Sequence, residues 1–334
     1  MAIENVLVLG GAGYIGSVAV AMLLDEGHRV AVFDSLERGH EQAIDLRSIF
    51  YRGNLGDRDR IRSVCKAFEP TVAMHFSAYA LVGESMERPS AYFQNNFCFG
   101  INLLDALVEV RTRMIVFSST CATFGIPKKL PITEDNLQAP TNPYGESKLM
   151  FERALLWYDR LKGLKHVSLR YFNASGATES LGEDHDPETH LIPNVLKAAL
   201  GQKPYVSIYG TDYPTPDGTC IRDYIHIRDL CKAHLMVMRL SESRQYNLGN
   251  GSGYSVRDVV ETARVVTGHP IPVREEPRRP GDPPVLVGSS GRIQAELGWR
   301  PEFPQLGDII QSAWDWHRRN PNGYKDPARA RTRE

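Results

Sequence analysis

The apolar run Val6-Leu7-Val8-Leu9 passes without a break into Gly10-Gly11-Ala12-Gly13-Tyr14-Ile15-Gly16, and a chain with that junction has few folds open to it. Four consecutive apolar residues read as a strand buried on both faces, the kind a parallel sheet uses. The stretch 15–26 that follows has the apolar spacing of an amphipathic helix. Strand, glycine turn and helix together aim backbone N–H groups and the positive helix end at one point, and glycine lets a pyrophosphate come close. The glycines are spaced Gly-x-x-Gly-x-x-Gly over Gly10, Gly13 and Gly16, not Gly-x-Gly-x-x-Gly as in ordinary dinucleotide folds. A second strand, 29–33, ends on Asp34, 18 residues past Gly16, where a carboxylate can accept hydrogen bonds from an adenosine ribose. A 2′-phosphate there would be repelled, so the pattern favours NAD over NADP. A turn that only tightens a corner would explain the glycines but not Asp34.

Short apolar runs at 49–52, 72–76, 114–118 and 167–169 alternate with helical patterns that include 92–110 and 144–161. That alternation predicts an α/β chain whose core is a doubly wound parallel sheet of the Rossmann type. After residue 171 the texture changes to loops rich in Pro, Gly, Asp and Tyr at 176–188, 210–219 and 277–284, suited to a smaller mixed α/β domain that carries specificity loops. Two domains are expected: 1–172 with about 219–250 for the cofactor, and about 173–218 with 251–325 for the substrate. A helix at 308–319 carries Trp314 and Trp316, and 326–334 reads as a disordered tail.

Composition narrows the function. With 334 residues and 42% hydrophobic content the chain can bury a sizeable core, and its formal charge of -1 offers no basic field for nucleic acid or a membrane surface. The five cysteines are scattered without Cys-x-x-Cys spacing, so neither a disulfide framework nor a zinc site follows. The chain opens directly into a strand, shows no signal peptide and has no apolar run long enough for a bilayer, so the cytoplasm is the expected location. Glu183, Asp184 and Asp186 read as a solvated loop, and no metal is expected. His75 and His226 read as structural.

Tyr144 and Lys148 are four residues apart, which puts both side chains on one helix face. A positive charge beside a phenol stabilises the phenolate and lowers the proton affinity of the ring oxygen toward neutrality. The oxygen could then take a proton from a sugar or alcohol hydroxyl. Alone, such a pair is far more often a packed ring beside a solvated lysine.

Further landmarks stand in order: Val82-Gly83-Glu84-Ser85, Asn95-Asn96, Ser118-Ser119-Thr120, Arg170-Tyr171-Phe172-Asn173, Arg222-Asp223-Tyr224-Ile225-His226 and Arg279-Pro280-Gly281-Asp282. With the glycine turn and the Tyr144/Lys148 pair, they make the chain resemble the extended short-chain dehydrogenases/reductases, and within them the UDP-glucose/UDP-galactose 4-epimerases, along nearly its whole length. The resemblance implies Tyr144 as acid/base, Lys148 as its activator and a ribose ligand, and Thr120 as the hydroxyl that bonds the sugar oxygen. It implies that Tyr14, Ile15, Asp34, Asn54, Leu55, Phe76, Asn95 and Phe172 line an NAD site together with Gly10, Gly13 and Gly16. Asn173, Leu191, Tyr209, Arg222, Arg279 and Asp282 would hold the UDP-sugar, the arginines offering a diphosphate their forked donors. It also implies a homodimer in which 92–110 and 144–161 of each subunit form a four-helix bundle.

The chain departs from the family pattern at five places: Thr120 for Ser, Asn54 for Asp, Ala80 for Lys, His190 for Asn, and Leu286 for Tyr beside carbon 2 of the sugar. The implied reaction removes the proton of the carbon-4 hydroxyl through Tyr144, passes a hydride from carbon 4 to NAD, turns the 4-keto sugar over and returns the hydride to its other face. A 4,6-dehydratase would need an Asp-Glu pair after the catalytic Thr, and this chain reads Thr120-Cys121-Ala122-Thr123. Epimerases of other UDP-sugars, acting on N-acetylglucosamine, pentose or glucuronate nucleotides, would share these motifs and differ in pocket residues. A catalytically silent NAD-binding protein would have no use for Thr120, Tyr144 and Lys148 together.

Overall fold

The apolar runs of the first half build one seven-stranded sheet in the computed structural model, which describes residues 3–279 and 281–325. The tail expected at 326–334 lies outside the described residues. In chain order the strands are β1 (Asn5–Leu9), β2 (Arg29–Asp34), β3 (Ile49–Arg52), β4 (Val72–His75), β5 (Met114–Thr120), β6 (Lys165–Tyr171) and β7 (Arg244–Leu248). They lie side by side as β7-β6-β5-β4-β1-β2-β3, and β3, β2, β1, β4 and β5 are parallel neighbours. The expected doubly wound α/β architecture is thus present, with strand order reversing between β1 and β4, where such sheets bind ligands beyond their carboxyl ends.

Register decides what reaches that edge. Leu9 pairs with Phe33 on one side and His75 on the other, and His75 pairs with Phe117. The next residues, Gly10, Asp34, Phe76 and Ser118, therefore stand level with one another at the carboxyl edge.

Helices α1 (Tyr14–Asp25), α2 (Arg58–Phe68), α3 (Phe99–Glu109) and α4 (Pro143–Lys162) belong with this sheet. The α2 helix shows why: Ile61, Val64, Cys65 and Phe68 fall on one face and are buried with Leu103 and Leu107 of α3. Its first turn is capped by the Asp57 carboxylate, which accepts from the Arg60 amide at 3.0 Å.

The single helix expected at 92–110 is interrupted. An α-helical turn at Pro89–Phe93 gives way to a π-helical turn at Gln94–Cys98 before α3 begins. Asn96 supplies the reason. Its buried amide accepts from the Tyr79 N–H at 2.8 Å and donates to the Tyr79 carbonyl at 2.9 Å and to Ser147 Oγ at 3.1 Å. Widening one turn keeps that side chain facing inward.

The chain divides into two units. The first holds the described residues up to Ile126, with Glu134–Arg170 and Cys231–Tyr246. The second holds Pro127–Thr133, Tyr171–Leu230 and the described residues from Asn247 on. In this second unit, strands Gly253–Ser255, Val285–Leu286 and Asn173–Ser175 all pair with Ile221–His226, and Val206–Tyr209 pairs with Val273–Glu276. Helices Leu191–Ala199, Val256–Thr267 and Leu306–Arg319 close a separate core around Val195, Val259 and Ile309. No helix among the described residues is long and apolar enough to cross a membrane.

A charged pair is buried in the interior of the first unit. Arg170, 1% exposed at its side chain, grips Glu152 of α4, 2% exposed, through contacts of 3.0 and 2.6 Å, and Ser119 Oγ donates to the same carboxylate. Removing one partner leaves an uncompensated buried charge, so Arg170→Leu should destabilise the protein in urea by about 3–5 kcal/mol. The double variant Glu152→Leu/Arg170→Leu should lie closer to wild type than Arg170→Leu alone; a double variant as unstable as the sum of two singles would show that the pair does not act as one.

Candidate active site

The glycine turn is built to bring backbone close to backbone. Gly10 has φ +80°, and a Cβ there would stand 2.7 Å from the Ser77 amide; a Cβ on Gly16 would stand 2.1 Å from the Gly10 carbonyl oxygen. Gly13 precedes α1 in an extended conformation, and among the described residues no side chain caps the helix whose first turn is Tyr14, Ile15 and Gly16. The positive end of α1 thus faces the level of the carboxyl edge without a protein anion of its own, which suits a pyrophosphate.

Asp34 holds this turn in place. Its two carboxylate oxygens accept from the Ala12 and Leu36 amides, each at 2.9 Å. Burial raises its proton affinity above the ordinary carboxyl value, and the amides pull it back. Each oxygen keeps a second lone pair for a ribose hydroxyl. Asn54 and Leu55 follow β3 at the same edge: Asn54 Oδ1 accepts from the Gly56 amide at 2.7 Å, and Leu55 is buried while its carbonyl accepts from Asn102 at 2.9 Å. Phe76 packs on the His234 ring at 4.9 Å, and Asn95, in the π turn, donates to Asn96 Oδ1 at 3.0 Å. These residues all stand in the first unit, and their donors, glycines and acid fit an NAD molecule. Phe172 stands in the second unit, packed so tightly on Gly288 that a Cβ there would meet its ring at 2.1 Å.

The proton-transfer set forms where β5 meets α4. Thr120 ends β5 and is buried; its hydroxyl accepts from the Ala122 amide at 3.1 Å and stands near enough to Tyr144 to lower the proton affinity of that ring. Asn142 caps α4 by accepting from the Gly145 amide at 2.8 Å, with Pro143 in the first turn, and this fixes where Tyr144 enters the helix. The Tyr144 ring meets Tyr92 edge-on at 6.4 Å, and Tyr92 is itself held by the Leu81 backbone. Lys148 is only 2% exposed. Its Nζ donates to the Ser118 carbonyl at 2.9 Å and lies 4.8 Å from the centre of the Phe117 ring.

This arrangement reverses one expectation. Burial pushes Tyr144 up to about 12, with Thr120 pulling the other way, although part of the residue's surface remains open to solvent. Burial pushes Lys148 down to about 7, opposed in part by Glu152. The ammonium is aimed at Ser118, so the chain's own groups do not draw the phenol toward neutrality. Sequence reasoning missed Glu152, Tyr92 and the Ser118 carbonyl. Glu152 had a signal: it lies four residues past Lys148 on the same face, a charge in what is otherwise a core stripe.

The second unit gathers the remaining candidates. Asn173 donates to the Asp223 carbonyl at 2.8 Å. Arg222 and Asp282 stand 3.7 Å apart as an ion pair, and the Arg279 guanidinium lies over the Tyr209 ring at 4.0 Å. Leu286 pairs in register with Arg222, and Leu191 opens the helix Leu191–Ala199. Arg278 was missed by sequence reasoning: it lies over Tyr213 at 4.2 Å and bonds Asp212 at 2.7 Å. His226 is structural, its Nε2 lying 3.0 Å from Ser312 Oγ and its ring stacked on Phe303. Of the three acids expected in a solvated loop, Asp186 is exposed, but Glu183 is buried and its carboxylate meets His190 at 2.9 Å.

A family model described as the NAD dependent epimerase/dehydratase family matches residues 6–249. A UDP-glucose 4-epimerase of Streptococcus mutans is 48% identical, the match covering 96% of this chain and 99% of that protein. A crystal structure of UDP-glucose 4-epimerase superposes with a TM-score of 0.93 at 48% identity, covering 96% of this chain and 99% of the other. The UDP-glucose 4-epimerase from Bifidobacterium longum in complex with NAD+ and UDP superposes with a TM-score of 0.91 at 38% identity, covering 95% and 99%.

The depressed proton affinity of Lys148 has a thermodynamic signature. Between its folded value near 7 and its ordinary value of 10.5, the unfolded chain binds a proton that the folded chain does not, so stability rises with pH across that window. Wild type should gain on Lys148→Met by up to about 1.4 kcal/mol per pH unit between about pH 7.5 and 9.5 in urea unfolding. Parallel stability profiles for the two proteins would show that Lys148 titrates as an ordinary lysine.

Proposed function

The chain belongs to the NAD dependent epimerase/dehydratase family and, within it, to the UDP-glucose 4-epimerases, and from that membership we propose how its own residues carry the reaction. The reaction is the interconversion of UDP-glucose and UDP-galactose by an NAD-dependent isomerase that inverts carbon 4. The observation that carries the assignment of residues is the meeting of β5 and α4, where Thr120 ends the strand, Asn142 caps the helix ahead of Tyr144, and Lys148 is buried on the same helix face with its Nζ on the Ser118 carbonyl.

NAD, when bound, supplies the hydride acceptor and donor, together with a positive ring charge that the Tyr144 phenol lacks in the chain by itself. Gly10, Gly13, Tyr14, Ile15 and Gly16 take its pyrophosphate, and Asp34 its ribose. Asn54, Leu55, Phe76, Asn95 and Phe172 line the remainder of the cofactor, and Lys148 reaches the second ribose. Tyr144 takes the proton of the carbon-4 hydroxyl while Thr120 holds that oxygen, and returns it once the 4-keto sugar has presented its other face. The methyl of Thr120 leaves its donor and acceptor capacity intact.

Asn173, Leu191, Tyr209, Arg222, Arg279 and Asp282 hold the UDP moiety, the arginines on the diphosphate. Concentrating binding energy in the nucleotide lets the hexose exchange its hydrogen bonds between two orientations. Leu286, in register with Arg222, favours a second reading in which an N-acetylated UDP-sugar is also accepted. Rates on UDP-galactose, UDP-N-acetylgalactosamine and UDP-xylose measured side by side separate the two.

A homodimer and a cytoplasmic location belong to the same proposal. The dimer is supported by α4, which exposes Trp157 at 58% and Leu161 at 70%, apolar surface that a second copy would cover. The cytoplasmic location is supported by the five cysteines, all free.

Tyr144→Phe should leave NAD bound and lower turnover of UDP-galactose by at least about a hundredfold; undiminished turnover would remove Tyr144 from the proton transfer. Trp157→Glu/Leu161→Glu should run at monomer mass in light scattering where wild type runs as a dimer. An unchanged mass would place the subunit interface elsewhere.

A further inference from the structure

Glu183, His185, Glu188 and His190 stand at Glu-x-His-x-x-Glu-x-His spacing just before the helix Leu191–Ala199, and each turns one ligand atom toward a common point. The four atoms, two imidazole nitrogens and two carboxylate oxygens, all lie within 4.8 Å of one another. His190 Nδ1 is 2.9 Å from Glu183 Oε1 and 2.9 Å from Glu188 Oε1. His185 Nδ1 is 3.3 Å from Glu183 Oε1 and 3.7 Å from Glu188 Oε2. A tetrahedral ion with bonds of about 2.1 Å holds neighbouring ligands about 3.4 Å apart. The observed separations bracket that value, and a shift of a few tenths of an ångström would regularise them.

Two further features single this cluster out. The Glu183 and Glu188 side chains are 6% and 3% exposed, so two carboxylates have been taken out of water side by side, which requires positive charge at the same place. Glu188 Oε2 is buried and has no hydrogen-bond partner among the described residues, since 3.7 Å to His185 exceeds hydrogen-bond reach. Both imidazole rings remain partly exposed, which leaves an entry path from solvent. The neighbouring acids are occupied elsewhere: Asp184 accepts from the Tyr324 amide at 2.9 Å and Asp186 pairs with Lys325 at 3.5 Å.

We propose that Glu183, His185, Glu188 and His190 bind one divalent transition-metal ion of the zinc class, through both imidazole Nδ1 atoms and one oxygen of each carboxylate. Two imidazoles and two carboxylates form a borderline donor set suited to Zn2+, and its charge balances the two acids. The ion ties the loop to the start of the helix that Leu191 opens, so it is a structural site and not a catalytic one. Its competitor is the proton. Burial would lower both histidines, but the two carboxylates outweigh it and hold His185 and His190 above the ordinary imidazole range. Metal binding would displace those protons.

Tag-free, full-length protein treated with a chelator should be titrated with Zn2+ and with Co2+ against a chromophoric competitor. One equivalent per chain is expected, with the ligand-field bands of four-coordinate cobalt and a rise in Tm on adding zinc. His185→Ala/His190→Ala should bind at least about a hundredfold more weakly. Absence of saturable zinc binding by wild type, a cobalt spectrum without four-coordinate bands, or undiminished binding by the double variant would overturn the proposal and leave the cluster as an ion-pair network only. If the variant fails to fold, the wild-type stoichiometry and cobalt spectrum still decide.

Discussion

Lys148 and Glu152 lie on the buried face of α4, where an amphipathic helix would ordinarily carry leucines, and the geometry of the active site depends on how those two charges are kept there. Taking an ammonium out of water costs several kcal/mol unless hydrogen bonds and opposite charge offset it. The Ser118 carbonyl accepts from Lys148, the Phe117 ring lies beneath it, and Glu152 stands one turn on, itself held by Arg170 and Ser119. These contacts bind α4 to the end of β5 at one register. A slide of one turn along the helix would leave Lys148 without its carbonyl and Glu152 without its arginine. Because the register is fixed, Tyr144 meets Thr120.

The sheet supplies the other half of the positioning. Pairing of Leu9 with both Phe33 and His75 makes the glycine turn, Asp34 and Phe76 arrive together at the carboxyl edge. Asp34 then serves two purposes with one carboxylate, since it anchors the turn through Ala12 and retains acceptor capacity for a ribose. Loss of Asp34 would disturb the phosphate turn as well as the sugar contact, so its substitution cannot be read as removal of a ribose ligand alone.

Much of this was legible in the chain. Strand β1, the glycine spacing and the acid at the tip of β2 are local patterns, and local patterns survive folding because the apolar runs that carry them are buried wherever a parallel sheet forms. The Tyr144/Lys148 pair was legible for the same reason, a four-residue spacing on a helix. The π turn was not, because it answers to a bond between Asn96 and the backbone of Tyr79, 17 residues away. Nor was the gathering of Glu183, His185, Glu188 and His190, which lie in a loop where no periodicity says which side chains converge. The proton affinity of Tyr144 was expected to fall toward neutrality and burial raises it in the chain by itself, since spacing reports that two groups are near but not how much water each has lost.

That last point is where the account can be tested most directly. In the chain by itself, burial raises the proton affinity of Tyr144 and Thr120 only partly opposes it, so positive charge brought by the bound nucleotide would favour release of its proton. Ultraviolet difference titration of dinucleotide-stripped wild type against Tyr144→Phe isolates this one ring. The account predicts that Tyr144 ionises well above an ordinary tyrosine, at about 12. Phenolate absorbance from Tyr144 near neutral pH in the stripped protein would contradict it and return the activating role to Lys148.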